Sequence, residues 1–305
     1  MYFLAFFIKN YCLKKNTDEK YNISFFGKSA NSILIRIIIS ANEREVMRRK
    51  KMRNDLTQQI IDIIDWNKFF LFWKFKGRYP EILRNEEAKK LFGEANELLK
   101  KLQNENFYCG EAKIEFFNAK VENDDIIIFA GEPFTVRCLR QQTKKPDGEP
   151  YYCLADFIRE DEKIGVFALT SGSEFEKKSQ KFAEAGDLHS SLLYASVSQR
   201  IAEAFSKYYH SKYLNGRNGI CAAVGFPSLP DLRIMRIVDK ILNLRGIGIT
   251  LSPNCMMSPL SSICGFYITH PKVKYFSVGK PADDQLLDYA KRGNESVEEV
   301  KIWVG

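Results

Sequence analysis

The stretch from Leu188 to Tyr208 constrains this chain most. Leu192, Leu193, Val197, Ile201, Ala204, Phe205 and Tyr208 recur there at helical spacing. One long helix with a buried apolar stripe is the reading. A second such stripe runs from Glu86 to Leu102, with Ala88, Leu91, Phe92, Ala95, Leu98, Leu99 and Leu102 inward and Asn85 placed to cap it. Between the two lie strand candidates: Ile114 to Phe117, Ile126 to Phe129 and Gly165 to Leu169. Arg233 to Leu244 reads as a further helix. Ile247–Leu251, Ile263–Ile268 and Tyr275–Val278 read as strands. The spacing predicts two closing helices, Asp284 to Arg292 and one from Ser296, which forms a capping box with Glu299. Near the start, Leu56, Ile60 and Ile64 suggest a first helix. The aromatic run Trp66, Phe69, Phe70, Phe72 and Trp73 follows, broken by Gly77, Tyr79 and Pro80. The chain has no internal repeat and no regular alternation of strand and helix. This order predicts an α+β fold rather than a doubly wound sheet.

The chain has 305 residues, 45% hydrophobic and 28% charged, with a formal charge of +8. A folded protein that meets acidic partners fits these values. The basic residues are dispersed, and nucleic acid is not an expected ligand. Seven cysteines without a CxxC pair argue against a zinc site or a disulfide scaffold, and for reduced thiols in a cytoplasmic protein. Met1–Ile8 and Ile33–Ile39 are too short to span a bilayer. Residues 1–50 are unlike the rest and read as an atypical N-terminal extension. Met47 and Met52 sit where the regular sequence begins, so a misassigned start is one explanation. Residues 51–305 form the main domain in this reading. His189, His210 and His270 lack metal-ligand spacing, and no nucleophile–base–acid set is evident.

The motifs then fall into a recognisable order. They are DWNKFFLFWKFKGRYPEIL (Asp65 to Leu83), LRQQ (Leu139 to Gln142), YCLADFI (Tyr152 to Ile158) and IGVFALTSG (Ile164 to Gly172). RIAEAF (Arg200 to Phe205), GFPSLPD from Gly225, CGFYITHP from Cys264, KYFSVGK from Lys274 and DQLLDYAKRG from Asp284 follow. Together they resemble the activation domain of cobalamin-dependent methionine synthases over roughly Leu56 to Gly305. The resemblance implies a C-shaped α+β domain with a central twisted antiparallel sheet and flanking helices. It implies binding of S-adenosyl-L-methionine (AdoMet) and reductive remethylation of cobalamin carried by a partner methionine synthase chain. A flavodoxin-like protein would donate the electron. With no room for the other synthase domains, the chain reads as a unit acting in trans.

By the same resemblance, Asp65 and Glu203 match AdoMet-contacting carboxylates. From the residues alone, Asp65 also suits an N-cap, and Glu203 suits a partner for Arg200. Gly219 to Pro227 matches a family loop that reads roughly Arg-Pro-Ala-Pro-Gly-Tyr. Here Cys221 stands at the arginine, Ala223 and Gly225 keep their places, and Phe226 replaces the tyrosine. Cysteine cannot offer the paired charge-assisted hydrogen bonds of a guanidinium. Arg217, four residues upstream, is the candidate substitute. Only a short connection from Ser211 to Ile220 precedes this loop, where many relatives carry a longer one. Tyr275, Phe276 and Ser277 match a strand that holds the adenosyl portion through main-chain groups. Two other functions remain open: a noncatalytic docking subunit with weakened AdoMet binding, and a partner of another corrinoid protein.

Overall fold

The computed structural model describes residues 52–55, 57–142, 145–146 and 148–304. The sequence reading of residues 1–50 as an extension lies outside them. A seven-stranded antiparallel sheet forms the centre. Its path runs β4 (Glu132–Arg137), β3 (Asp125–Ala130), β2 (Tyr108–Glu122), β5 (Ile164–Thr170), β9 (Ser262–Thr269), β6 (Gly219–Ala223), with β1 (Met52–Asp55) also paired to β2. The remaining strands, β7 (Thr250–Leu251) and β8 (Met257–Ser258), pair with each other. The fifteen-residue β2 holds the sheet together. Its residues 112–117 pair with β5, and residues 118–122 pair with β3.

Alternation along the strands sorts the core into two faces. Phe167 and Leu169 of β5 join one cluster, while Val166 and Ala168 join the other. All seven residues of β5 are buried, as expected of a central strand covered on both sides. The first face is covered by α1 (Gln58–Asp62), α2 (Trp66–Phe72), α3 (Glu86–Asn104), α4 (Ser173–Glu184) and α5 (Leu188–Leu214). Phe69 and Phe70 of α2 are essentially fully buried there, each worth about 1.5–3 kcal/mol of transfer free energy. The second face is covered by α6 (Ile234–Leu242), α7 (Asp283–Gly293) and α8 (Val297–Val304). The fold is α+β, with a central twisted antiparallel sheet and flanking helices, as the motif order implies.

The predicted caps form. Asn85 Oδ1 accepts from Ala88 N at 2.9 Å, and Ser296 and Glu299 bond reciprocally through side chain and backbone. Two strand assignments need correction. Tyr275–Val278 alternates exposed with buried, but it joins no ladder. Val278 N donates to Pro227 O, and the Ser277 carbonyl accepts from the Gln141 side chain, so its backbone partners are a turn and an amide. Ile247–Leu251 begins on the last residue of a 3-10 turn, Leu244–Ile247, and only its Thr250–Leu251 is strand. Several short elements were missed, and so were three larger ones. Strand β4 is an edge strand carrying Pro133, β6 was read as loop, and α4 buries little beyond Phe175.

Candidate functional site

Two helices and one strand end bring several of the motif residues together. Asp65 caps α2, its Oδ1 accepting from Lys68 N at 3.4 Å. Helix α2 is held against α5, where Trp73 Nε1 donates to Ser196 Oγ at 3.1 Å. One turn and a half further along α5, Ala202 to Ser206 are all buried, because the helix is packed on more than one side. Glu203 lies in that run with its side chain 11% exposed, so its charge must be paired. Three cations do this. Arg200 Nη1 donates to Oε2 at 2.7 Å, Lys68 Nζ donates to Oε1 at 2.5 Å, and Lys207 Nζ lies 3.4 Å from Oε1. Lys207 also lies 3.7 Å from Asp65 Oδ2, which joins the two carboxylates.

Strand β6 brings the third part. Cys221 pairs in register with Tyr267 of β9 and points toward α5, its Sγ 3.3 Å from Ser206 Oγ. Burial, with the Glu203 charge nearby, pushes the thiol up to about 12, so it stays neutral. Ala223 follows on the same face, and the chain then turns. Gly225 has φ +83, and a Cβ there would come within 2.9 Å of Leu232 Cδ2. The turn is closed by Gly225 N to Leu229 O at 2.8 Å. It presents the Phe226 ring beneath Lys68 Nζ, 5.2 Å from the ring centre.

Asp65, Glu203, Cys221, Ala223, Gly225 and Phe226 are thus brought into one neighbourhood. Tyr275 stands beside it, 57% exposed, with its hydroxyl pushed up first by desolvation. Phe276 does not join this group. It packs into the other core against Tyr152 and Phe157. Ser277 is exposed, and its Oγ accepts from Gly279 N. Arg217 is corrected as a substitute for the missing arginine. Its Nη1 donates to Glu162 Oε2 at 2.9 Å, and its guanidinium lies over Tyr213. The reason is positional: it follows the end of α5, before β6 starts, and Glu162 is the nearest anion. Lys68 and Lys207 were missed by the sequence reading. The available signal was spacing, since Lys207 is four residues after Glu203 and Lys68 three after Asp65. An open cleft of about 560 Å³ adjoins the cluster along α1 and α2, with Asp62, Asp65, Trp66 and Lys207 in its wall. Among the described residues, no group of three or more His, Cys, Asp and Glu is placed to hold a metal, and no helix is long and apolar enough to cross a membrane.

Two ion-paired carboxylates, two part-exposed ammonium groups and a glycine turn are therefore neighbours. This neighbourhood contains no assembled nucleophile and base. The chain belongs to the vitamin B12-dependent methionine synthase activation domain family, whose model matches residues 56–216 and 214–294. The two matched stretches meet at the short connection between α5 and β6. Among solved structures, it is similar to the MetH reactivation domain crystallised with S-adenosylhomocysteine (AdoHcy). Identity is 30% and the TM-score 0.71, over 83% of this chain and 88% of that one.

Proposed function

We propose that this chain binds AdoMet at the Asp65–Glu203–Gly225 cluster. In this reading it presents the methyl group, in trans, to cobalamin carried by a methionine synthase chain. The observation that carries the proposal is the convergence of Asp65 and Glu203, from different helices, on the Gly225–Phe226 turn. The residues present fit the molecule. Ionised carboxylates only accept, which suits an ammonium group and ribose hydroxyls. A glycine at positive φ leaves the main chain open to close approach. Phe226 and the exposed Tyr275 offer flat surfaces, and the solved relative was crystallised with the demethylated form of the same molecule.

When bound, AdoMet supplies an activated methyl on a sulfonium. Its acceptor would be cobalamin on the partner chain, once reduced by one electron from a flavodoxin-like donor, and AdoHcy would be the product left in the site. The protein's own task is placement. Asp65 and Glu203 fix the amino-acid end, while the Gly225 turn fixes the opposite wall. No general base is needed, because the leaving group departs as a neutral thioether. Orientation of this kind carries large rate factors, and a 1 Å error can cost about 10²-fold.

Calorimetry with AdoMet tests the binding step. Saturable heat that falls at least about tenfold in Glu203→Gln, with the fold retained by circular dichroism, supports it. Folded protein without saturable heat would instead favour the noncatalytic docking subunit, a reading favoured by the neutral Cys221. Transfer is tested by mixing the protein with cob(II)alamin methionine synthase, a reductant and methyl-labelled AdoMet. Absence of label in methylcobalamin overturns the remethylation role, and label on another corrinoid protein alone would reassign the partner.

A further inference from the structure

The cluster contains more positive than negative charge. Lys68, Arg200 and Lys207 face Asp65 and Glu203, which leaves one cation in excess. AdoMet has a single anionic group, its carboxylate. The strand position nearest this charge, Cys221, holds a neutral thiol occupied with Ser206. Arg217 is committed to Glu162. Which of the three cations is free to receive a carboxylate is decided by exposure and by existing partners.

Arg200 is 16% exposed and donates to Glu203 Oε2 from within the same helix. It neutralises Glu203 from behind. Lys207 is 45% exposed but is shared between both carboxylates, at 3.4 and 3.7 Å. Lys68 is 40% exposed and, among the described residues, has one ion-pair partner, Glu203 Oε1. An ammonium has three donors, and the Glu203 contact uses one of them. The Phe226 ring supports its other side and holds the charge over the turn that ends β6. Among the described residues, Lys68 is the cation that spans from the helix carrying Asp65 to the Gly225–Phe226 wall.

We propose that Lys68 is the carboxylate-binding residue for the methionyl end of AdoMet, a role that the neutral side chain of Cys221 leaves open. This inference rests on the AdoMet reading above. The ligand carboxylate meets Lys68 while its ammonium meets Glu203 and Asp65, so the zwitterion of the ligand lies along the protein's own ion pairs.

The test is calorimetric titration of the full chain with two ligands, AdoMet and decarboxylated AdoMet, which lacks only the carboxylate. For wild type and Lys68→Arg, AdoMet should bind within a few-fold of each other. Lys68→Met should weaken AdoMet by about 10- to 100-fold, the worth of a hydrogen bond to a charged group. Its affinity for the decarboxylated analogue should be unchanged or tighter, because Glu203 loses a competitor. Thermal melts of each variant confirm folding. An unchanged AdoMet affinity in Lys68→Met overturns the assignment, as does an equal loss for both ligands. So does a carboxylate-selective loss in Lys207→Met instead. If wild type binds neither ligand, the AdoMet reading itself fails. If wild type binds both but Lys68→Met is not selective, only the Lys68 assignment fails.

Discussion

Replacing Gly225 by alanine separates the turn's contribution to the site from its contribution to the fold. Gly225 has φ +83, a conformation that costs an L-residue about 1–2 kcal/mol. The added Cβ would also press on Leu232 Cδ2 at 2.9 Å. Leu232 is only half-buried, so its side-chain end can give way, and the steric part is the smaller one. The expected loss of stability is about 1–3 kcal/mol, or about 2–4 °C in Tm for each kcal/mol at this chain length. Gly131, in the turn between β3 and β4, is the matched control. Its φ is +87, and nothing lies within 4 Å of its Cβ position. Gly131→Ala should therefore show the strain without the contact. Only Gly225→Ala should change the ligand. The Lys68–Phe226 contact is worth about 0.5–1 kcal/mol at a part-exposed site. Its displacement should weaken AdoMet by about 2- to 5-fold. Thermal melts and calorimetry on both variants check this. Equal AdoMet affinities in the two variants would refute a turn that shapes the site, and unchanged melts would refute the strain argument.

Two further outcomes follow from buried titrating groups. Burial holds His210 down to about 4, against an ordinary 6.5, and its Nε2 has no hydrogen-bond partner. The unfolded chain therefore binds the extra proton first, so stability should be full above pH 6.5 and fall by about 2–3 kcal/mol by pH 4.5. Urea unfolding at both pH values should show a smaller fall in His210→Gln, and equal falls would remove His210 as the cause. Cys221 should resist iodoacetamide at pH 8 in the folded protein, since its thiol is pushed up to about 12, and react once urea unfolds the chain. Peptide mapping that finds half-buried Cys221 alkylated at a free-thiol rate in folded protein would contradict a thiol held neutral against Ser206.

Much of this protein was legible from local sequence. The stripe along α3, its Asn85 cap and the Ser296–Glu299 box each form within a few residues of chain, so periodicity and capping chemistry settle them. The short apolar runs of β5 and β9 were legible for the same reason. Strand β6 was not, because Gly219–Ala223 is short and small-sided, and pairing with β9 makes it a strand. Tyr275–Val278 failed the other way. Its alternation is real, but a strand needs a neighbour, and its neighbours are the Pro227 carbonyl and Gln141.

The site divides along the same line. The sequence supplied Asp65, Glu203 and the Gly225 turn, and it showed that Cys221 brings no charge. The tertiary structure alone decided which cations stand around them. Arg217 is near Cys221 in sequence but is drawn to Glu162, while Lys68 is 135 residues from Glu203 and donates to it at 2.5 Å. Ion pairing depends on distance through space, and only the packing of α2 on α5 sets that distance.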